Sequence, residues 1–281
     1  MRLSRRARIA LRVAVGITLA FIYLPLAVIA LYAFNSSNIL AWPPPGLTTH
    51  WFSQAFHNSG AGSAIVTSIE VGLVATAVAL LLGTLASLAV ARHRFFGREV
   101  VSFLVILPIA LPGIVTGVAL SDTFTQVLGV SLSLLTVIIG HATFCIVVVY
   151  NNAVARLRRA SGSIEEASAD LGADPWQTFR YVTLPTMRSA LVAGALLAFA
   201  LSFDEIVVTL FTIGAGEQTL PIWIFNNLFR PSQLPIVNVV AILLVLASTI
   251  PVYLAHRLTR EDEGAAAVRG GSTVAEATAV P

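Results

Sequence analysis

Six long runs of apolar residues, separated by shorter polar stretches, dominate the pattern of the chain. A helix rises about 1.5 Å per residue, so roughly 20 residues cross the hydrocarbon core of a bilayer. Each run reaches about that length, and we therefore predict six membrane-spanning helices. The predicted spans are Ala14–Phe34, Ala64–Ala91, Val100–Leu120, Val130–Tyr150, Ala190–Ile213 and Ile236–Leu254.

Two prolines and a glycine, Pro108, Pro112 and Gly113, interrupt the third predicted span. Proline lacks an amide N–H and clashes with the preceding turn, so it kinks or breaks a helix. Within a bilayer the freed carbonyls must be satisfied by neighbouring protein or by water. The interruption indicates either a kink that lines a pathway or a bend packed against other helices, and the sequence favours neither.

Composition agrees with an all-α, polytopic membrane protein. Of the 281 residues, 57% are hydrophobic and only 11% are charged, whereas soluble domains carry about 25% charged residues. We predict a cytoplasmic N-terminus at residues 1–13, one transmembrane domain at residues 14–260 and a disordered cytoplasmic tail at residues 261–281. The first apolar run is longer than the apolar region of a usual signal peptide, so we interpret it as a retained span.

The arginines predict the orientation of these spans. All 17 basic residues are arginine, and in the predicted topology every one except Arg230 falls on the same side of the membrane. Positive charge marks the cytoplasmic side, so we predict that both termini are cytoplasmic. Because the arginines flank apolar spans rather than forming one basic face, they indicate membrane orientation and not a nucleic-acid partner.

The longest predicted cytoplasmic loop, residues 151–185, carries two signals for a helix start. Ser163 and Glu166 have the spacing of a capping box, in which two side chains satisfy amides of the first helical turn. Gly172 follows, where glycine permits a tight turn. The second start signal consists of an acidic cap, a proline and a glutamine: Asp174, Pro175 and Gln177. The loop therefore predicts two short helices joined at Gly172.

One pattern in this loop resembles a known signature. It runs Glu166-Ala167-Ser168, three residues, Gly172, nine residues, Val182-Thr183-Leu184-Pro185. The pattern is similar to the EAA signature of permeases in bacterial ATP-binding-cassette (ABC) importers, which reads E-A-A, three residues, G, nine residues, I-x-L-P. Ser168 and Val182 depart from it mildly. The resemblance implies a type I ABC importer permease fold in the bacterial inner membrane.

The same resemblance implies roles for particular residues. The segment Asp174–Arg180 resembles the coupling helix that docks in a groove of the ATPase subunit. Trp176 and Phe179, three residues apart on one helical face, are its implied apolar anchors. Glu166 is the implied acidic contact. The full set of implied coupling residues is Glu166, Ala167, Gly172, Asp174, Trp176, Phe179, Leu184 and Pro185.

The implied ATPase must be a separate chain. A phosphate-binding loop of the G-x-x-x-x-G-K-[ST] type needs a lysine, and this sequence contains none. We therefore predict no catalytic residue, metal or cofactor in this chain, and the resemblance implies that a dimer of ATP-binding subunits holds ATP and magnesium. The family also implies a second permease subunit and an extracytoplasmic substrate-binding protein.

Acidic residues inside predicted spans are the candidates for substrate contact. An ionisable group costs roughly 2.5–3.5 kcal/mol in the bilayer centre on insertion scales, so it is a functional candidate. Glu70 lies in the second span, and Asp204 and Glu205 lie in the fifth. Helical spacing predicts a polar stripe along the fifth span: Ser202, Glu205, Thr209 and Thr212. These carboxylates suit a cationic substrate, or else one of them pairs with a polar group on a partner subunit.

Further segments narrow the resemblance. Leu201–Val208, Leu220–Ile224 and Leu111–Gly117 are similar to the spermidine/putrescine permease subfamily, and most of all to its second permease subunit. This implies polyamine transport and a partner permease that is a different chain. Permeases for ferric iron, phosphonates or opines share a similar frame and stay open as alternatives.

Two other classes compete with an importer permease. An ion-coupled secondary transporter usually has more spans and paired interrupted helices, which the pattern does not show. A membrane scaffold without transport activity leaves the EAA spacing unexplained. His141, alone in the fourth span, indicates a packed or hydrogen-bonded side chain rather than a proton relay or metal ligand.

Overall fold

The computed structural model describes residues 4–39, 41–160 and 162–247. These residues form helices and no strand, which confirms the all-α prediction. The helices are α1 (Arg5–Ala33), α2 (His50–Phe56), α3 (Ser59–Arg92), α4 (Arg98–Ala110), α5 (Gly113–Asp122), α6 (Leu134–Arg159), α7 (Ser163–Asp170), α8 (Pro175–Thr178), α9 (Leu184–Phe203), α10 (Val207–Thr212), α11 (Leu220–Leu228) and α12 (Leu234–Ala247). Two wider π-helical turns lie at Thr123–Val127 and Phe179–Thr183.

Membrane-length helices account for most of the predicted spans. Four described helical stretches are long and apolar enough to cross a bilayer, and a bent pair adds a fifth. The sixth predicted span, Ile236–Leu254, lies partly outside the described residues, and its described part belongs to the shorter apolar helix α12. The predicted tail at residues 261–281 lies wholly outside them.

The helices continue beyond the apolar runs. The second span was predicted at Ala64–Ala91 and extends to Ser59–Arg92, while the fourth was predicted to end at Tyr150 and continues to Arg159. Hydropathy falls where a helix leaves the lipid, but the backbone hydrogen bonds do not need lipid to continue. Apolar pattern therefore indicates where the membrane ends and not where a helix ends.

The third predicted span is not one straight helix. α4 and the helical stretch from Gly113 to Val127 meet at an angle of 105°. The break falls at Leu111 and Pro112, whereas Pro108 is accommodated within α4. An open cavity of about 270 Å³ lies against this bend and is lined by residues of α4, α5 and α6. The predicted interruption is confirmed, and its role in a pathway stays a prediction.

The described chain divides into two compact units, of which the larger contains residues Ser63–Ile222. Within it α6 packs closely against α3 and α9. A Cβ atom on Gly83 would lie 3.0 Å from Cβ of Val149, and one on Gly194 would lie 3.3 Å from Cα of the same valine. In lipid, small residues let helix backbones approach and gain van der Waals contact. The centre of this unit therefore depends on glycines that face α6 from two sides.

The smaller unit contains α1, α2 and α12. Its loop after α1 folds back around Asn35, which is fully buried. The Asn35 carbonyl accepts a hydrogen bond from Trp51 Nε1 at 2.7 Å, and the rings of Phe34 and Phe52 lie 4.9 Å apart. The apolar part of α1 is not buried inside the protein at all, which fits a helix that faces lipid.

Candidate functional site

A helical elbow, formed by residues 162–183, occupies the predicted cytoplasmic loop. Gly172 lies at its turn with φ of +86°, a backbone region that glycine adopts without strain. The Asp174 side chain accepts a hydrogen bond from the Gln177 amide, and the Gln177 side chain accepts one from the Asp174 amide, both at 2.9 Å. This reciprocal capping, with Pro175 in the first helical position, confirms the predicted start of the second short helix.

The first short helix begins differently from the prediction. α7 starts at Ser163 itself, and Gly162 occupies the capping position without a side-chain hydrogen bond. The predicted capping box of Ser163 and Glu166 was therefore wrong, because Ser163 lies inside the first turn rather than before it. Glu165 and Glu166 both fall in that first turn, where the helix dipole favours negative charge.

Glu165, which sequence reasoning did not single out, ties the elbow to two other elements. One of its carboxylate oxygens lies 2.9 Å from Nε of Arg92 at the end of α3. The other accepts a hydrogen bond from the Thr183 hydroxyl at 2.9 Å. Glu166 and Ala167, which the EAA pattern highlights, are exposed. No local signal separates Glu165 from Glu166, because the contacts that distinguish them are tertiary.

The elbow presents apolar rings to its surroundings. Trp176 is 64% exposed, and its ring centroid lies 5.6 Å from that of Phe179. We call these two residues the elbow patch. Leu171 and Tyr181 are further large side chains of the elbow that are exposed. Exposed apolar clusters of this kind mark surfaces that bind another protein.

α8 leads into the fifth span without a break. Helical structure continues from Pro175 to Phe203, through the π-helical turn at Phe179–Thr183. The predicted loop extends to Pro185, but Leu184 and Pro185 already lie in the first turn of α9. Proline is tolerated in a first turn, and the wider turn before it accommodates the missing amide bond.

A second interruption lies at residues 204–206, which we call the membrane break. The fifth span was predicted as one helix over Ala190–Ile213, but α9 ends at Phe203 and α10 begins at Val207. The predicted polar stripe therefore does not run along one helix. Ser202 belongs to the last turn of α9, and Thr209 belongs to α10.

The two acidic residues of the membrane break have different surroundings. The Glu205 carboxylate accepts a hydrogen bond from the Val208 amide at 2.9 Å and so caps α10. Asp204 is exposed, and within the described part of the chain its carboxylate has no hydrogen-bond or ion-pair partner. Glu70 is also exposed, on α3, and the described contacts do not join it to either acid.

The polar residues around the break converge on α6. His141 is fully buried, with Nδ1 2.7 Å from the Ser202 hydroxyl and Nε2 2.9 Å from the Thr209 hydroxyl. Thr136, also on α6, donates a hydrogen bond to the Thr212 carbonyl at 2.6 Å. The prediction of a hydrogen-bonded His141 is confirmed. α10 is held by α6 near both of its ends.

Comparisons with known proteins agree with this architecture. Residues 79–261 match the family described as binding-protein-dependent transport system inner membrane component. The chain is 33% identical to the putrescine transport system permease protein PotI of Escherichia coli K12, over 86% of this chain and 88% of PotI. It is 31% identical to the spermidine/putrescine transport system permease protein PotC of Haemophilus influenzae, over 86% of this chain and 93% of PotC.

The fold is shared with a solved transporter. A bacterial ABC transporter involved in the import of the acidic polysaccharide alginate superposes with a TM-score of 0.70 at 18% identity. The match covers 93% of this chain and 99% of the transporter chain. At this identity the likeness concerns the fold alone.

Proposed function

The chain belongs to the family of inner-membrane components of binding-protein-dependent transport systems, and we propose that it forms half of the pathway of an ATP-driven importer for polyamines. It is a multi-pass membrane protein and a permease subunit. The observation that carries the substrate class is the exposed Asp204 carboxylate at the membrane break, next to Glu205. Polyamines are polycations, and carboxylates in a low-dielectric pathway attract them.

The relatives support the same substrate class. PotI is named for putrescine and PotC for spermidine and putrescine, and both align with most of the chain. In this proposal Asp204 and Glu205 contact the passing cation directly. Glu70 is a further polar group of the pathway. Ser202 and Thr209 belong to it by supporting the break that presents Asp204, because both are buried and hydrogen-bonded to His141.

The elbow provides the contact with a separate ATPase subunit. The elbow patch inserts its two rings into a groove of that subunit, and the exposed Glu166 and Ala167 lie at the rim of the same contact. ATP and magnesium are held by the ATPase, and this chain binds no cofactor. The tie between Glu165 and Arg92 passes the movement of the elbow to α3.

The remaining partners complete an alternating-access transporter. The concentration of arginine on one side of the predicted spans supports cytoplasmic termini and a cytoplasmic elbow. A second, different permease chain supplies the other half of the pathway. A substrate-binding protein delivers polyamine to the outer loops, and ATP binding and hydrolysis reorient the spans through the elbow.

Uptake by the assembled complex tests the substrate assignment. We expect Asp204→Asn to lower the initial rate of labelled putrescine uptake into proteoliposomes about tenfold, because a charge-assisted contact is lost. Glu99→Gln removes an exposed carboxylate from the first turn of α4, away from the outer loops, and is the matched control. Normal uptake by both Asp204→Asn and Glu205→Gln contradicts the carboxylate assignment.

Competition and energy source separate the alternatives. Unlabelled spermidine is expected to compete with putrescine, whereas ferric iron, phosphonates and opines are not. Uptake should stop when ATP is depleted and should survive collapse of the proton gradient. The opposite pattern indicates an ion-coupled transporter.

Association with the ATPase tests the elbow patch. We expect Trp176→Ala to weaken binding of the ATPase subunit by roughly thirtyfold, as for an interfacial aromatic hot spot. Trp42→Ala is the matched control, since Trp42 is 75% exposed and lies in the loop after α1. Equal binding by the two variants in a pull-down titration contradicts the docking role.

A further inference from the structure

A chain of hydrogen bonds crosses the membrane break through His141. The histidine is fully buried on α6, yet both of its ring nitrogens have partners. One partner, Ser202, ends α9, and the other, Thr209, lies in α10. The imidazole therefore joins two helix ends that the backbone separates at residues 204–206.

The direction of each hydrogen bond follows from the number of protons available. The Thr209 hydroxyl has a single proton, which it donates to the Glu205 carbonyl at 2.9 Å. Its oxygen must therefore accept from His141, which places the ring proton on Nε2. In a neutral imidazole Nδ1 is then an acceptor, and the Ser202 hydroxyl donates to it. The order is Ser202, His141, Thr209 and the Glu205 carbonyl, with every proton used once.

The geometry indicates that this series of hydrogen bonds stabilises the membrane break. A break inside a span exposes backbone groups that lipid cannot satisfy, so the protein must supply partners. The Glu205 carbonyl accepts a hydrogen bond from the Thr209 hydroxyl, and the Glu205 carboxylate accepts one from the Val208 amide. Gly140, next to His141, leaves room for Val208, to which an added Cβ would come within 3.1 Å. The conformation of residues 204–206 is thus fixed from α6.

We infer that His141 is a positioning residue, which sets how the membrane break presents Asp204 to the substrate. The inference rests on the proposed function, because it assigns the exposed carboxylate to polyamine contact. His141 does not touch the substrate itself. It acts through Ser202 and Thr209, whose side chains are buried, whereas Asp204 is exposed.

A double-mutant cycle tests this role in the complete transporter. Thr209→Val removes the hydroxyl with little change of shape, and we expect it to lower the rate of putrescine uptake about tenfold, as for loss of one buried hydrogen bond. Thr209→Ser keeps the hydroxyl and should restore uptake to within about twofold of the unsubstituted complex. In an Asp204→Asn background, Thr209→Val should lower the remaining uptake by less than about twofold, because the group it positions is absent.

The outcomes separate the inference from the proposed function. A residue that only stabilises the fold lowers uptake by the same factor in both backgrounds, which overturns the positioning role while leaving the function intact. Unchanged uptake in Asp204→Asn alone overturns the substrate contact and the inference together. If Thr209→Val does not assemble, Ser202→Ala removes the donor at the other end of the chain and enters the same cycle with the same expectations.

Discussion

The elbow and the membrane break are both interruptions of helical structure, and they are held in different ways. The elbow turns at Gly172 and is closed by the local pair of hydrogen bonds between Asp174 and Gln177. The membrane break is held by His141, which is separated from Ser202 and Thr209 by 61 and 68 residues in sequence. One turn is specified nearby in the chain, and the other is specified by a distant helix.

The environment explains the difference. At an aqueous surface, water satisfies any backbone group that the turn leaves free, so a glycine and one cap suffice. In a bilayer the lipid tails offer no hydrogen-bond partner, so each freed group needs one from the protein or from a water-filled cavity. A surface turn can therefore be local, whereas a buried break must be built into the tertiary structure.

Among the variants that compare these two turns, Gly172→Val has the largest expected effect. A β-branched residue at φ of +86° is strained by about 1–3 kcal/mol, so we expect the turn to change and uptake to fall at least tenfold while ATP hydrolysis continues. Gly162→Val is the control, because Gly162 has φ of −62° and a Cβ added there meets no atom within 4 Å. Normal transport by Gly172→Val contradicts a turn fixed by glycine.

Glu205→Ala tests whether a cap in the membrane is worth more than one in water. The Val208 amide loses its partner, and we expect the free energy of unfolding to fall by about 2 kcal/mol, the cost of an unsatisfied buried donor. Thermal unfolding in lipid nanodiscs measures it. Glu70→Ala is the control, and equal losses in the two variants contradict the capping role.

Asp174→Ala is the aqueous counterpart. Removal of this N-cap should cost about 1 kcal/mol, less than at Glu205, because water reaches the freed amide. Hydrogen exchange of the Gln177 amide reports the local loss, with Asp170→Ala as a nearby exposed control. If Asp174→Ala lowers the free energy of unfolding as much as Glu205→Ala does, a cap in lipid is worth no more than a cap in water.

The smallest expected effect is that of Glu165→Gln. The glutamine amide oxygen still accepts the hydrogen bond from Thr183, but the ion pair with Arg92 is lost. Both side chains of that ion pair are 23% exposed. Such a pair is worth about 0.5 kcal/mol. The unfolding temperature of this variant should be measurably lower than that of Glu166→Gln. The reverse order contradicts the role of Glu165 in linking the elbow to α3.

Much of the architecture follows from local sequence. The apolar runs indicate the spans, Pro112 indicates the bend in the third, and Asp174 with Gln177 indicates the start of α8. Each of these signals acts within a few residues, because it depends on backbone sterics or on a cap. That is why the elbow could be predicted in outline from its sequence.

The remaining features depend on distant partners. No helix-breaking residue near Asp204 indicates a break, since Leu201–Ile213 contains neither proline nor glycine. The helix ends there because side-chain hydrogen bonds of Glu205 and Thr209 replace the backbone hydrogen bonds of a continuous helix. The hydrogen bond between His141 and Thr209 stabilises this break. Glu165 was missed for the same reason, because its ion-pair partner Arg92 lies on another helix.

The unbroken helix from Pro175 to Phe203 can be considered as a lever. Its 29 residues span about 43 Å, so a tilt of about 10° at the elbow displaces the far end by about 7 Å. A displacement of that size is much larger than the 2.7 Å distance of the hydrogen bond between Ser202 and His141, so the bond would not survive it if α6 stayed in place. The lever is also fastened near its base, where Arg156 of α6 donates to the Thr186 carbonyl. A movement that begins at Trp176 must therefore move α6 together with this helix as one rigid body. Otherwise it breaks the hydrogen bond between Ser202 and His141 at the far end.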